Sequence, residues 1–210
     1  MDLQRLFDAI VDGDNKAAKG LTEEAIAAGI DPKELLSTYM IPAMNEVGRL
    51  FEVNEYFVPE LVISARAMKT AQEVIRPLLM TQDAKPAGKV IIGTVRGDLH
   101  DIGKSLVSTM LEGGGFEIVD LGVDVAPAKF VEAVSIHQPQ IVALSALLTT
   151  TMSAMKVTID QLRTAGVRDY VKVIVGGAPI TQKFATDIGA DGFSDNASSA
   201  VTLARALVAK

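Results

Sequence analysis

The feature that most constrains the fold of this chain is a change in hydrophobic periodicity near residue 80. In residues 1–80, apolar residues recur at the three- and four-residue spacing of amphipathic helices. After residue 88, short continuous apolar runs alternate with helical stretches. We therefore predict two domains, residues 1–80 and residues 89–210. They are joined by a linker over residues 81–88, a polar segment that contains Pro86 and Gly88.

The first domain is predicted to be an all-α bundle of four helices. Asp31 followed by Pro32 indicates a helix start, because Asp caps the first amide groups and Pro fits the first helical position. Val58-Pro59-Glu60 indicates another start, ahead of the longest helical pattern. Helices joined by such short connections are typical of a small bundle.

The second domain is predicted to contain a five-stranded parallel sheet. Apolar runs occupy residues 90–95, 116–121, 141–144 and 171–175, with a weaker run near Gly192 and Phe193. Continuous runs are typical of strands covered on both faces, so we expect helices on each side of the sheet. The pattern predicts an α/β flavodoxin-like (Rossmann-like) doubly wound domain. In such a fold, ligands bind at the carboxyl ends of the strands.

The composition argues against several kinds of site and partner. The chain has no Cys, which excludes disulfides, thiolate zinc sites, iron–sulfur clusters and Cys nucleophiles. A net charge of -6 and an aromatic content of 5% argue against nucleic acid as a partner. The sequence shows neither a signal-peptide pattern nor a run of about 18 apolar residues that would span a membrane. We expect a cytoplasmic protein without a membrane partner.

Candidate chemistry lies in the loop after the first strand. There His100 is flanked by Asp98 and Asp101, and the glycines do not fit a dinucleotide-binding loop. An imidazole whose second ring nitrogen donates to a carboxylate is the arrangement of an oriented metal ligand. Taken alone, this short motif more often marks a loop histidine that an Asp such as Asp98 holds for structural reasons.

Two further motifs follow at defined distances. D-x-H-x-x-G at 98–103 is followed after 41 residues by S-x-L at 145–147, and after 28 more by Gly-Gly at 176–177. In kind, order and spacing these motifs resemble the cobalamin-binding (B12-binding) domain of methionine synthase, of adenosylcobalamin mutases and of corrinoid proteins of methyltransferase systems. Residues 48–60 and 64–66 resemble the helical cap of methionine synthase and its carrier relatives, so the resemblance covers nearly the whole chain.

The resemblance implies a role for each matching residue. His100 would be the metal ligand below the cobalt, Asp98 would hold its other ring nitrogen, and Thr151 would continue the relay where the family commonly has Ser. Phe51 and Val58 would shield the methyl group from above. The implied cofactor-binding residues are Gly97, Asp98, Leu99, His100, Asp101, Gly103, Ser145, Leu147, Thr149, Thr151, Gly176, Gly177, Ala197, Phe51 and Val58. Gly176 and Gly177 would give room for the nucleotide tail of the cofactor.

By the same resemblance, the cofactor would be cobalamin or a related corrinoid, in the methylcobalamin form. The protein would carry a methyl group from a substrate-specific methyltransferase to an acceptor methyltransferase. The donor would be methanol, a methylamine or an aromatic methyl ether, with a slight preference for methyl ethers that no residue decides. The acceptor would be tetrahydrofolate or a thiol coenzyme, and a reductive activase would be a further partner.

No site for activating a methyl donor is evident in the sequence, so we expect a subunit of a methyltransferase system that is not catalytic alone. Two alternatives stay open. One is the small subunit of an adenosylcobalamin mutase, and the other is a cobalamin-sensing regulator.

Overall fold

The computed structural model describes residues 2–80 and 86–209, apart from the side chains of residues 79 and 80. The chain divides into two compact units. One consists of Met1–Pro86 with Glu112–Gly115, and the other of Ala87–Leu111 with Phe116–Lys210. Of the predicted linker, residues 81–85 lie outside the described residues.

The first unit is helical, as predicted. Its elements are α1 (Gln4–Val11), α2 (Asn15–Ala27), α3 (Pro32–Glu34), a π-helical stretch (Leu35–Met40), α4 (Ile41–Glu52) and α5 (Val58–Met80). Because α3, the π-helical stretch and α4 follow one another without a break, residues 32–52 form one helical segment. The Asp31 carboxylate caps this segment by accepting from the Lys33 amide at 3.0 Å.

The core of the helical unit is built from apolar side chains of its helices. Leu6, Ile10, Leu35, Met40, Val47, Leu61, Met68 and Ile75 are all fully buried. Removing such side chains from water is the main favourable contribution to the stability of a helical bundle.

The second unit contains alternating strands and helices. Its elements are β1 (Lys89–Thr94), α6 (Ile102–Gly113), β2 (Glu117–Asp120), α7 (Pro127–His137), β3 (Ile141–Ser145), α8 (Met152–Thr164), a 3₁₀ turn (Arg168–Tyr170), β4 (Lys172–Gly176), α9 (Gln182–Ile188), β5 (Gly192–Ser194) and α10 (Ala197–Val208). Every pair of neighbouring strands is parallel. The strand order is β2-β1-β3-β4-β5, so the predicted flavodoxin-like fold is confirmed.

The register of the sheet aligns the ends of four strands. Thr94 of β1 pairs with Ser145 of β3, Ser145 with Gly176 of β4, and Gly176 with Ser194 of β5. The strand order reverses at β1, whose neighbours are β2 on one side and β3 on the other. The loops that leave β1 and β3 therefore begin side by side at the position where ligands bind in this fold.

The prediction that strands are covered on both faces is wrong for β2. The central strands β1, β3 and β4 are almost entirely buried, whereas Glu117 and Asp120 at the two ends of β2 are exposed. β2 lies at the edge of the sheet with one neighbour, so an apolar run there does not require full coverage. No described helix has both the length and the apolar composition that crossing a bilayer requires.

Candidate metal centre

The site begins with a tight turn at the carboxyl end of β1. The Asp98 amide donates to the Val95 carbonyl at 3.1 Å. Gly97, inside this turn, has φ of +84°, a left-handed conformation that glycine adopts without steric cost. The turn reverses the chain and leaves the Asp98 side chain fully buried.

The Asp98 carboxylate accepts hydrogen bonds on both oxygens. Oδ1 lies 3.1 Å from the His100 amide and 2.7 Å from His100 Nδ1. Oδ2 accepts from the amides of Leu147 at 2.8 Å and Leu148 at 3.2 Å, and from Thr151 Oγ1 at 2.6 Å. Burial raises the pKa of Asp98, but the hydrogen bonds from Thr151, His100 and Leu147 together hold it well below its ordinary value. Asp98 is therefore an ionised acceptor at neutral pH.

The bond to Asp98 orients the His100 ring. An ionised carboxylate can only accept, so Nδ1 carries a proton and, in the neutral ring, Nε2 carries the lone pair. Among the described residues, Nε2 has no hydrogen-bond partner, and half of the His100 side chain is exposed. The His100 carbonyl accepts from the buried Thr94 hydroxyl at 2.8 Å, which fixes the backbone below the ring. Because its Nε2 lone pair is free, the His100 ring is suited to bind a metal ion.

Thr151 links the β3–α8 loop to the pair. Its hydroxyl lies 2.6 Å from Asp98 Oδ2 and 2.9 Å from the Leu148 carbonyl, so its single proton faces two acceptors. Thr151 is buried and immediately precedes α8, where its side chain makes no cap for the helix. The structure thus joins His100, Asp98 and Thr151 in one hydrogen-bonded chain.

Large apolar side chains surround this polar group at the surface. Leu99 is 71% exposed and Ile102 is 80% exposed, and Leu147 and Leu148 are also exposed. Leu99 and Ile102 are close to His100 in the chain, and Leu147 and Leu148 donate their amides to Asp98. A concentration of exposed apolar residues around polar groups is typical of a binding surface.

The metal itself would have to arrive with other ligands. Within the part of the chain that the structure describes, no group of three or more His, Asp or Glu side chains is arranged to hold a metal ion. His100 can therefore supply one coordination position. One oriented imidazole next to exposed apolar side chains fits a metal that a macrocycle already holds, as a proximal histidine does for haem iron.

The glycines of the predicted motifs differ in what surrounds them. At Gly103 an added Cβ would meet no atom within 4 Å, so the protein's own packing does not require glycine there. At Gly177 φ is +131°, and an added Cβ would lie 1.9 Å from the Ala146 carbonyl oxygen. At Gly176 it would lie 3.1 Å from the Ser194 carbonyl oxygen. The close approach predicted for a cofactor tail at Gly177 is thus already made by the protein's own backbone.

The remaining predicted residues lie at several places. Ser145 is partly buried at the end of β3, next to Gly176 of β4, whereas Asp101 and Thr149 lie in exposed loops. Ala197 is buried as the first residue of α10. Phe51 and Val58 belong to the helical unit, where Phe51 is partly buried and Val58 is 42% exposed.

Two groups beside the site were missed by the sequence reasoning. Asp124, in the loop after β2, accepts from the Gly97 amide at 2.7 Å. Lys104 of α6 is buried and forms an ion pair with Asp120 at the end of β2. The signal was the flavodoxin-like strand order itself, because it places the loop after β2 beside the loop after β1.

Comparison with known proteins gives results for both units. A family model described as a B12 binding domain matches residues 88–202, and a second model with the same description matches residues 2–76. The chain is 46% identical to trimethylamine corrinoid protein 1 of Methanosarcina acetivorans, over 96% of this chain and 94% of that relative. It is 41% identical to dimethylamine corrinoid protein 1 of the same organism, over 99% and 97%.

A solved structure resembles the chain over nearly its full length. It is the methanol:cobalamin methyltransferase complex of Methanosarcina barkeri, with a TM-score of 0.86 and 31% identity. The match covers 99% of this chain and 80% of that one.

Proposed function

This chain belongs to the family of corrinoid proteins with B12-binding domains, and we propose that it carries a methyl group away from a methylamine methyltransferase. Its cofactor is cobalamin or a related corrinoid. When bound, the corrinoid supplies a cobalt ion that takes up and gives off the methyl group.

The observation that carries the proposal is the hydrogen bond of 2.7 Å between Asp98 and His100 Nδ1. Asp98 holds the ring so that Nε2 faces away from the carboxylate and is free to bind cobalt from below. Thr151 and the loop amides of Leu147 and Leu148 keep the carboxylate in place. A hydrogen-bond acceptor on the other ring nitrogen usually maintains the orientation of a metal-binding histidine in this way.

The exposed apolar residues would contact the macrocycle and keep water from the lower face of the metal. The exposure of Leu99, Ile102 and Leu147 close to the Asp98–His100 pair supports this part of the proposal. Gly103 supports the same proposal. An added Cβ there would meet no protein atom within 4 Å, so the packing of the protein does not explain the glycine, whereas a cofactor lying against it would.

A methylamine is proposed as the methyl donor because of the relatives. The two corrinoid proteins with 46% and 41% identity are named for trimethylamine and dimethylamine. Their names favour the methyl carrier over the mutase subunit and the regulator. They give no support to the slight preference for aromatic methyl ethers, and methanol is favoured only by the structural neighbour at 31% identity.

The partners follow from the carrier role. The solved neighbour is part of a methyltransferase complex, which supports a methyltransferase as the donor-side partner. We include in the proposal an acceptor methyltransferase that uses tetrahydrofolate or a thiol coenzyme, and a reductive activase. Phe51 and Val58 of the helical unit are included as the residues that shield the methyl group.

Replacing His100 tests the proposed metal ligand. The full chain is loaded with hydroxocobalamin, and visible spectra are compared for the wild type, His100→Gly and His137→Ala. His137, the other histidine of the chain, ends α7 and serves as the matched control. We expect histidine-ligated spectra for the wild type and His137→Ala, and loss of that form in His100→Gly. Identical spectra for all three proteins would refute His100 as the ligand.

The donor is tested separately. The cobalamin-loaded wild type is first reduced with titanium(III) citrate, which supplies the electrons that convert Co(III) to the form that accepts a methyl cation. It is then incubated with an extract of the cells that naturally produce this protein and with trimethylamine, dimethylamine, methanol or methoxybenzene in turn, and methylation of the cofactor is followed by its spectrum. We expect methylation with a methylamine. Methylation with methanol or methoxybenzene alone would overturn the proposed donor and leave the ligand result standing.

A further inference from the structure

We propose that Asp124, in the loop between β2 and α7, is a positioning residue that fixes the direction of the Asp98 carboxylate toward His100. This inference rests on the proposed function, because it takes His100 to be the cobalt ligand. Asp124 touches neither His100 nor the exposed apolar residues through any hydrogen bond in the described chain. Its action is on the backbone that carries Asp98.

Two hydrogen bonds join Asp124 to the turn after β1. Asp124 Oδ1 accepts from the Gly97 amide at 2.7 Å, and the Asp124 amide donates to the Asp98 carbonyl at 2.9 Å. The Asp98 amide donates to the Val95 carbonyl at 3.1 Å. The backbone is therefore held on both sides of the Asp98 Cα atom, so the direction of its Cα–Cβ bond is fixed by hydrogen bonds that involve neither His100 nor Thr151. We name the two bonds made by Asp124 the Asp124 clip.

The loop that carries the clip is itself fixed to the sheet. The Thr94 amide donates to the Gly122 carbonyl at 3.0 Å, and the Val125 amide donates to the Thr94 carbonyl at 2.9 Å. Val95 and Val125 form a parallel bridge that extends the pairing beyond β1. Because the loop that makes the Asp124 clip is hydrogen-bonded to β1, the clip can hold the Asp98 backbone in a fixed position relative to the sheet.

The backbone conformation of residue 124 restricts which side chains can serve. Its φ is +51°, in the left-handed region where Asp and Asn are tolerated better than other residues with a Cβ. The clip also needs a short side chain with an oxygen acceptor. Gly satisfies the backbone but has no acceptor, and Ala satisfies neither demand. Asn satisfies both. This difference separates hydrogen bonding from backbone strain by experiment.

The expected effect follows from the behaviour of partners behind metal ligands. Loss of such a partner typically costs 10–100-fold in metal affinity. Asp124 acts through Asp98, so we expect the lower end of that range. In Asp124→Gly, the ratio of histidine-ligated to unligated cobalamin should fall about tenfold relative to the wild type.

The test uses the full chain, with and without hydroxocobalamin, for the wild type, Asp124→Gly, Asp124→Ala, Asp124→Asn and Gln138→Ala. Gln138 has φ of +47°, is exposed and directly follows α7 as its C-cap, so it reports the cost of Ala in a left-handed conformation away from the site. Visible spectra give the histidine-ligated fraction. Thermal unfolding gives stability, and amide hydrogen exchange of the cobalamin-free protein reports protection of the Gly97 amide.

We expect Asp124→Gly and Asp124→Ala to lose Gly97 protection and to show the lowered ratio of histidine-ligated to unligated cobalamin, while Asp124→Asn retains the wild-type values of both. Gln138→Ala should match the wild-type spectrum. Wild-type ligation in Asp124→Gly would overturn the inference, because the acceptor would then be unnecessary. Loss of ligation in Asp124→Asn would also overturn it. If the wild type itself lacks the histidine-ligated spectrum, the proposed function fails; if only the Asp124 variants are unchanged, the inference about Asp124 fails alone.

Discussion

The two units use their polar side chains for different purposes. In the α/β unit, donors from two loops converge on the single carboxylate of Asp98 and leave His100 Nε2 facing outward. In the helical unit, the Tyr56 and Ser64 hydroxyls both donate to the Val11 carbonyl, at 3.2 Å and 2.7 Å, and so satisfy the end of α1. The oriented imidazole therefore belongs to the α/β unit, whereas these polar contacts of the helical unit stabilise the end of a helix.

The surfaces of the units differ in a corresponding way. The helical unit exposes apolar side chains around the start of α5, at Val53, Phe57, Val58, Val62 and Ile63. The exposed apolar residues of the α/β unit near His100 instead surround a polar centre. The comparison teaches that apolar exposure alone does not indicate a candidate metal site, whereas apolar exposure next to an oriented imidazole does.

The largest expected effect concerns the backbone of the α/β unit. Gly177→Ala would place a Cβ 1.9 Å from the Ala146 carbonyl oxygen in a left-handed conformation. We expect it to lower the free energy of unfolding by about 4 kcal/mol or to prevent folding. Urea unfolding measures the change.

Gly103→Ala is the matched control for Gly177→Ala. Its Cβ enters open space within α6, so the cobalamin-free protein should become more stable by about 0.5–1 kcal/mol. Cobalamin binding, measured by titration, should nevertheless weaken. Unchanged affinity for cobalamin would remove Gly103 from the proposed cofactor site.

The next largest effect tests whether the two units are separable in function. Leu61→Ala removes a fully buried side chain from the helical core, and we expect a loss of about 3 kcal/mol in unfolding free energy. The exposed neighbour change Val62→Ala should cost less than about 0.5 kcal/mol. Both variants should keep the histidine-ligated spectrum when loaded with cobalamin. Loss of that spectrum in folded Leu61→Ala would contradict the assignment of the metal chemistry to the α/β unit alone.

A smaller effect is expected at Thr151. Thr151→Val keeps the shape but removes the donor to the buried Asp98 carboxylate, at a cost of roughly 2 kcal/mol. Thr151→Ser keeps the hydroxyl and should recover most of this loss. Thermal unfolding of the cobalamin-free proteins provides the measurement, and equal stability of the Val and Ser variants would show that the hydroxyl contributes nothing.

The smallest effect on stability is expected at the exposed surface of the helical unit. Phe57 is largely exposed, and Phe57→Ser should change the unfolding free energy by less than about 0.5 kcal/mol. If urea unfolding instead shows a loss above about 2 kcal/mol, Phe57 is part of a packed core and the contrast between the two surfaces is wrong.

Much of this architecture could be predicted from the sequence because it depends on local pattern. Continuous apolar runs indicated four of the five strands and a weaker run indicated the fifth, and their alternation with helical stretches indicated a parallel sheet. Asp31 and Pro32 marked a helix start because capping is decided within a few residues. The motif around Asp98 and His100 could be found because both residues lie in one short loop.

Other features depend on contacts between distant segments and could not be predicted in this way. Asp124 lies 26 positions beyond Asp98 in the chain, and its role depends on a left-handed backbone and on pairing with Gly97. The reason for glycine at position 177 is the carbonyl of Ala146 on the neighbouring strand's loop, which the motif alone does not reveal. The exposure of β2 follows from its place at the sheet edge, a property of topology.

The most direct test of the whole account is a crystal structure of the full chain grown with cobalamin. The account predicts a bond of about 2 Å from His100 Nε2 to the cobalt, as is usual for a histidine–metal bond. The same structure should retain the hydrogen bond between His100 Nδ1 and Asp98 and show the cofactor's own base displaced from the metal. A cobalt whose lower position is still held by that base, with His100 bonded to Asp98 alone, would contradict it.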